Sequence, residues 1–95
     1  MGLVMWSIFE HKTKAAKIIN KAPKQVREKY EFWKHLMGGS GPEAIKKFSG
    51  FRDHALRGKW DGSRTSYLND QYRVIYIVEK ETVGVFVQKI GPHDY

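Results

Sequence analysis

Two apolar segments near the end of the chain constrain its fold most. Residues 72–78 and 83–90 are rich in β-branched and aromatic side chains, and only residues 79–82 separate them. Two such segments joined by a short polar link are typical of an antiparallel β-hairpin. Neither segment alternates cleanly between apolar and polar residues, so we expect both to be central strands that are covered on part of each face.

The first half of the chain predicts a strand and two helices. Residues 3–9 are a candidate strand, and a helical pattern begins at Thr13. Apolar residues at helical spacing form one face of this first helix, namely Ala15, Ile18, Ile19 and Ala22. Pro23 ends the helix and is well placed in the first turn of the next one. The apolar face of the second helix comprises Val26, Tyr30, Trp33 and Leu36 or Met37.

The middle of the chain predicts short elements and a loop. Gly38–Gly39 predict the end of the second helix, and residues 42–48 predict one further helical turn. Residues 49–62 have the composition of a loop. Residues 63–68 predict a strand, which turns at Asn69–Asp70 into the hairpin.

This order of elements predicts an α+β fold. Two N-terminal helices would pack on one face of a twisted, mainly antiparallel sheet of about four strands. The chain has 95 residues, which suffice for a single core, so we expect residues 1–95 to form one domain.

The charge of the chain is strongly positive, with a formal net charge of +7. Residues 1–47 carry ten Lys and Arg against four Asp and Glu, so the excess lies mainly in the predicted helices. A small domain this basic favours a polyanion as partner, either a nucleic acid or an acidic protein. The chain has no cysteine, which excludes a disulfide framework and a thiolate zinc site.

The apolar residues 1–9 are too short to span a bilayer, and they lack the basic start and the cleavage site of a signal peptide. We therefore expect a cytoplasmic protein without a membrane partner.

Several enzyme classes lack their motifs in this sequence. There is no glycine-rich phosphate loop, and no serine lies in a nucleophile-elbow motif. The four histidines show no metal-ligand spacing, and no carboxylate pair suits glycoside hydrolysis. We expect no metal ion and no other cofactor.

The second half of the chain retains a set of cationic, imidazole and phenol side chains. They are His54, Lys59, Arg64, Arg73, His93 and Tyr95. Gly91–Pro92 would end the pairing of the second strand. Arg73 opens the first strand of the hairpin and His93 follows the last, so antiparallel pairing would bring both to one end of the sheet. This set fits RNA cleavage by the RNA's own 2′-hydroxyl, which needs a base, an acid and cations on the phosphate. Trp60, Tyr67 or Tyr95 could hold an unstacked base.

Structural roles are the alternative for these residues. Arg73 could pair with a neighbouring carboxylate on the sheet surface, and His93 could pack on the sheet as a loop residue. Lys59 and Arg64 could be solvated surface cations, and Trp60 could cover an edge of the core.

Taken in order, the residues resemble the RelE/ParE superfamily, which comprises toxins of bacterial and archaeal toxin–antitoxin pairs. The segments that carry the resemblance are residues 58–60, the strand with Arg64, residues 72–76 and residues 90–95. The resemblance is closest to the ribosome-dependent mRNA interferases, the branch that includes RelE, YoeB, YafQ and HigB.

The resemblance implies roles for single residues. Arg73 corresponds to an arginine that contacts the scissile phosphate, and Arg64 to a basic residue of the preceding strand. Together with His93 they would lie on the concave face of the sheet, opposite the helices. His93 corresponds to an acid/base or phosphate-binding residue, with Tyr95 as the nearby tyrosine. His54 matches a loop histidine of the YafQ-like members, and which histidine is base and which is acid stays open. Candidate RNA-binding residues are Lys59, Trp60, Tyr67 and Lys89.

The resemblance also implies a function. The chain would be a type II toxin that enters the ribosomal A site and cleaves the mRNA there without a metal ion. Its expected partners are a cognate antitoxin and mRNA on the ribosome, with contacts to rRNA. The alternatives are a ParE-like inhibitor of DNA gyrase, which is a binding toxin without catalysis, and a degenerate, non-toxic member. His93 together with His54 favours the nuclease.

Overall fold

The computed structural model describes residues 5–10 and 12–92 of the chain. In chain order its helices and strands are β1 (Ser7–Glu10), α1 (Lys12–Lys21), α2 (Lys24–Ser40), α3 (Pro42–Lys47), β2 (His54–Ala55), β3 (Arg64–Tyr67), β4 (Tyr72–Glu79) and β5 (Gly84–Pro92). Two 3-10 turns, Ser49–Phe51 and Gly58–Trp60, flank β2. None of the helices in these residues has the length and apolar composition that a membrane span requires.

The predicted α+β fold is confirmed, although the sheet differs in detail. Within the described residues five strands form one sheet in the order β1-β5-β4-β3-β2. Residues 3 and 4, where the predicted first strand begins, lie outside the described residues, and β1 runs parallel to β5. The prediction that residues 49–62 form only a loop is wrong. β2 has no strand pattern in its sequence and is held by pairing with β3.

β4 and β5 lie in the interior of the sheet, as their apolar sequences predicted. Ile75 pairs with Lys89 and Tyr76 pairs with Val87, which leaves Gln88 as a β-bulge. The extra residue changes which positions of β5 face the helices. The buried apolar residues of β5 are Val85, Val87 and Ile90.

Gly91–Pro92 continue β5, so the prediction that they stop the ladder is wrong. Arg73 pairs with Gly91 and Tyr72 pairs with Pro92. Proline is tolerated because β1 pairs only with residues 84–87, so beyond this range no described strand occupies the outer edge of β5. The end of β5 therefore lies beside the start of β4.

The helices pack their predicted apolar faces on the sheet. The buried residues of α2 are Val26, Tyr30, Trp33 and Met37. In α1, Ala15 is buried, and Ile18 and Ile19 pack against the core as partly buried residues. The rings of Trp33 and Tyr76 meet edge to face with their centroids 5.3 Å apart. This contact identifies the face of the sheet that the helices cover.

α2 ends beyond the predicted glycine cap. Gly38 and Gly39 stay within the helix, which continues to Ser40, so the predicted cap is wrong. Gly41 ends the helix with φ of 83°, and its N–H donates to the carbonyl of Met37 at 2.9 Å. A Cβ at Gly41 would lie 2.6 Å from Nε1 of Trp6. Gly41 thus turns the chain and leaves room for the indole.

Gly41→Ala should lower the free energy of unfolding by roughly 1–3 kcal/mol, because alanine is strained at this φ and its methyl group would meet Trp6. Gly39→Ala is the matched control, since among the described residues no atom outside the local backbone of α2 and the two chain neighbours lies within 4 Å of a Cβ at that position. The control should be neutral or slightly stabilising, because alanine favours a helix over glycine. Denaturant unfolding measures the free energy of unfolding of both variants. Equal values would show that Gly41 is not required for the turn beside Trp6.

Candidate functional site

The pairing of β3 with β4 decides which side chains share a face of the sheet. Arg64 pairs with Tyr76, and Tyr67 pairs with Arg73. Side chains alternate along a strand, and directly paired residues lie on the same face. Because Trp33 of α2 contacts Tyr76, the pair of Tyr76 and Arg64 lies on the helix-covered face. Tyr67 and Arg73 lie on the opposite face, which we call the outer face.

Three side chains surround Tyr67 on the outer face. The guanidinium carbon of Arg73 lies 4.3 Å from the centroid of the Tyr67 ring, and that of Arg52 lies 5.4 Å from it. The ring centroids of His54 and Tyr67 are 6.1 Å apart. We refer to Arg52, His54, Tyr67 and Arg73 as the Tyr67 cluster. Two positive charges and an imidazole in one place suit an anionic ligand.

Arg73 is the most buried member of the Tyr67 cluster, with 6% of its surface exposed. It is not buried against the helices, because its pairing with Tyr67 places it on the outer face. A guanidinium away from water needs compensating contacts, and a cation over an aromatic ring contributes about 0.5–2 kcal/mol. The ring of Tyr67 therefore helps to hold the Arg73 charge in place.

His54 is exposed in β2, and its ring has a defined orientation. Nδ1 lies 2.8 Å from the carbonyl oxygen of Arg52. A carbonyl oxygen only accepts hydrogen bonds, so Nδ1 carries the proton and donates it. In the neutral imidazole Nε2 then keeps its lone pair. The geometry leaves Nε2 able to accept a proton from a ligand.

A buried carboxylate lies on the helix-covered face, next to the cluster in sequence. The side chain of Asp53 has no exposed surface. It accepts hydrogen bonds from Nε of Arg64 at 2.7 Å, from Oγ of Ser66 at 2.6 Å and from the hydroxyl of Tyr76. Trp33 of α2 also donates from Nε1 to Oγ of Ser66, at 3.0 Å. We refer to Asp53 and its three direct donors as the Asp53 network.

Tyr76 and Arg64 both keep the protons that they donate to Asp53. Burial raises the pKa of Tyr76, and the charge of Asp53 and the hydrogen bond to it raise it further. For Arg64, burial lowers the pKa, but the hydrogen bond to Asp53 and its charge outweigh burial and leave the pKa raised. Tyr76 therefore stays protonated and Arg64 stays charged at neutral pH.

The prediction that Arg64 shares a face with Arg73 is wrong. The register places the two guanidiniums on opposite faces of the sheet, and Nε of Arg64 is bonded to Asp53. Arg64 and Arg73 therefore cannot hold one phosphate together.

The candidate RNA-binding residues other than Tyr67 lie outside the Tyr67 cluster. Trp60 and Lys89 line a cavity of about 280 Å³ between α1 and β5. Lys59 is exposed in the 3-10 turn Gly58–Trp60.

His93 and Tyr95 lie outside the described residues, so their predicted roles stay predictions. The structure describes β5 as far as Pro92, which pairs with Tyr72 beside Arg73.

Arg52 and Asp53 were not among the residues predicted for a site. Arg52 has a left-handed backbone with φ of 47°, a conformation that no pattern in the sequence marks for an arginine. For Asp53 no local signal was present either, because its three donors lie on β3 and β4, which are distant from it in sequence. Among residues 5–10 and 12–92, no group of His, Asp and Glu side chains could hold a metal ion.

No protein-family model and no curated protein match this sequence. Solved structures do match, and they show that the chain has the fold of the RelE-like toxins. One is a chain of the archaeal RelE–RelB complex from Pyrococcus horikoshii, which is 21% identical with a TM-score of 0.70, covering 93% of this chain and 94% of that chain.

Two further structures have the same fold. In the DinJ–YafQ toxin–antitoxin complex from E. coli, the matching chain is 18% identical with a TM-score of 0.71, covering 95% of this chain and 94% of that chain. In the YoeB–YefM complex from Staphylococcus aureus, the matching chain is 13% identical with a TM-score of 0.69, covering 94% of this chain and 98% of that chain. The predicted resemblance to RelE-like toxins is confirmed at the level of the fold.

The hydrogen bond between His54 and Arg52 predicts the tautomer of His54. Neutral His54 should be protonated at Nδ1, whereas a solvated neutral histidine prefers protonation at Nε2. Nitrogen-15 NMR of the imidazoles distinguishes the two forms. His35, which is exposed on α2, is an internal reference and should show the solvated pattern. An Nε2–H tautomer at His54 would contradict the assigned hydrogen bond.

Proposed function

We propose that the chain is the toxin of a type II toxin–antitoxin pair and a metal-independent endoribonuclease that cleaves mRNA in the ribosomal A site. The Tyr67 cluster carries this proposal, since it combines two guanidiniums with an imidazole that has an acceptor nitrogen. The RelE-like fold and the net charge of +7 also support it. The proposed location is the cytoplasm.

His54 is the proposed general base. Nε2 would take the proton of the 2′-hydroxyl while the 2′-oxygen attacks the adjacent phosphorus. The bond from phosphorus to the 5′-oxygen then breaks, and this oxygen needs a proton. His93 and Tyr95, outside the described residues, are the proposed donors. The products would be a 2′,3′-cyclic phosphate and a 5′-hydroxyl, so the step balances without a co-reactant.

Arg73 and Arg52 are the proposed phosphate-binding residues. Negative charge builds up on the phosphate oxygens in the transition state, and guanidinium N–H groups bind such oxygens in pairs. Stacking on an aromatic ring involves the face of a guanidinium and not its N–H groups. We therefore propose that Tyr67 holds these two cations, instead of stacking on an RNA base as its sequence context had indicated.

Contacts to the RNA outside the scissile phosphate are proposed for three further residues, Lys59, Trp60 and Lys89. Lys59 is exposed, and the other two line one cavity next to β5. Arg64 has no place in this proposal, because its Nε is bonded to the buried Asp53 on the other face.

The proposed protein partner is a cognate antitoxin. The matched structures are complexes of RelE with RelB, of YafQ with DinJ and of YoeB with YefM. The proposed RNA partner is mRNA on the ribosome. The exposed lysines of α1 can contact rRNA phosphates in that setting, and they are Lys14, Lys17 and Lys21.

His54→Gln and Arg73→Gln should each slow mRNA cleavage by roughly 10²–10³-fold, because each removes a group that acts on the transition state. Translation extract with a defined mRNA, followed by primer extension, measures the cuts. The matched controls are His35→Gln and Arg57→Gln, both at exposed positions outside the Tyr67 cluster, and they should cut like the parent.

Thermal unfolding of each variant separates loss of chemistry from loss of fold. If folded His54→Gln and Arg73→Gln cut mRNA as fast as the parent, the site is misplaced. If the parent leaves mRNA intact and inhibits DNA gyrase, the nuclease proposal is wrong and the chain acts as a binding toxin.

A further inference from the structure

Asp53 stands between the two residues that flank Tyr67, yet its own side chain lies on the other face of the sheet. Arg52 and His54 reach the outer face, where their side chains lie beside the Tyr67 ring. The carboxylate of Asp53 has no exposed surface and belongs to the helix-covered face. One tripeptide thus connects the Asp53 network to the Tyr67 cluster.

The backbone on either side of Asp53 is held by few hydrogen bonds, among them one from the N–H of Arg52 to the carbonyl of Ser49 at 3.1 Å. β2 makes only two residue pairs with β3, His54 with Thr65 and Ala55 with Arg64. Arg52 has φ of 47°, in the left-handed region that costs an arginine free energy. Such a conformation persists only where the surrounding structure enforces it. A side-chain anchor would therefore add to the backbone contacts that keep this segment in place.

Asp53 has the contacts of such an anchor. Its carboxylate accepts from Arg64 and Ser66 on β3 and from Tyr76 on β4, so the donors come from two adjacent strands. Ser66 is in turn bonded to Trp33 of α2. Moving a buried carboxylate away from its donors would leave charge and hydroxyl groups unpaired, which is costly. The position of Asp53 is therefore fixed relative to the sheet and to α2.

We propose that Asp53 is a positioning residue, which acts through its neighbours and does not touch RNA. By holding residues 52–54, it sets the hydrogen bond from Nδ1 of His54 to the carbonyl of Arg52 and keeps Nε2 as the acceptor nitrogen. It also keeps the Arg52 guanidinium over the Tyr67 ring. The consequence for catalysis rests on the proposed ribonuclease function, whereas the consequence for the geometry of His54 does not.

Asp53→Asn is the test variant, because it keeps the size of the side chain and replaces one acceptor oxygen by an N–H donor. We expect His54 to lose the Nδ1–H tautomer in nitrogen-15 NMR. At saturating ribosome–mRNA complex the cleavage rate should fall by roughly 10- to 100-fold, with a smaller change in the half-saturating concentration. Ser66→Ala and Tyr76→Phe each remove one donor to Asp53 and should give the same changes to a smaller extent.

Two controls exclude a general loss of stability as the cause. Gly41→Ala is destabilising at a site packed on Trp6, and it should keep the tautomer of His54 and the cleavage rate. Glu43→Gln removes a carboxylate from an exposed ion pair with Lys46 and should change neither readout.

The outcomes separate the two proposals. An unchanged His54 tautomer in Asp53→Asn, or the same loss of tautomer in Gly41→Ala, would overturn the role of Asp53. If Asp53→Asn does not fold, an unchanged tautomer in both Ser66→Ala and Tyr76→Phe would overturn it as well. If the parent does not cleave RNA, the proposed function fails, and the tautomer still decides whether Asp53 positions His54.

Discussion

The pairing of β3 with β4 is the constraint on which the candidate site depends. Strand residues alternate between the two faces, so the partner of Tyr76 and the partner of Arg73 must lie on opposite sides of the sheet. Arg64 therefore lies on the helix-covered face, and Tyr67 lies on the outer face. A shift of one residue in this pairing would exchange the two sets of side chains and would bring Arg64 to the outer face.

The two faces stabilise charge in different ways. On the helix-covered face, one buried carboxylate accepts hydrogen bonds from a guanidinium and two hydroxyl groups, which occupy three of its roughly four acceptor sites. On the outer face, two guanidiniums lie over one aromatic ring. An aromatic ring attracts the face of a guanidinium, whereas a carboxylate accepts hydrogen bonds from its N–H groups. The first arrangement suits a structural role, and the second suits ligand binding.

The fold and the function rest on different grounds. The RelE-like fold follows from the likeness to solved structures, with TM-scores of 0.69 to 0.71 at 13–21% identity. One fold supports several activities, so the ribonuclease proposal depends on the side chains of the Tyr67 cluster. The orientation of His54 and the position of Arg73 are the main support for this proposal, because these two groups would transfer a proton and stabilise negative charge.

Sequence patterns predicted the elements that local residue order controls. The spacing of side chains along a single element predicted the apolar strands β4 and β5 and the buried face of α2. It also singled out Arg73 as a cation within an apolar strand. Patterns failed at β2 and at the end of α2. β2 is a strand through pairing with β3, and Gly41 ends α2 where the chain passes the Trp6 indole.

The composition of the site, in contrast, depended on how separate elements meet. Whether Arg64 or Tyr67 shares a face of the sheet with Arg73 is set by the register across a turn, and a difference of one residue there reverses the answer. Arg52 and Asp53 belong to no periodic pattern of apolar residues. Their positions follow from the hydrogen bonds that hold the buried carboxylate of Asp53 to its donors on β3 and β4. Short-range spacing thus specified which residues form strands and helices, while pairing between distant segments selected the side chains that surround Tyr67.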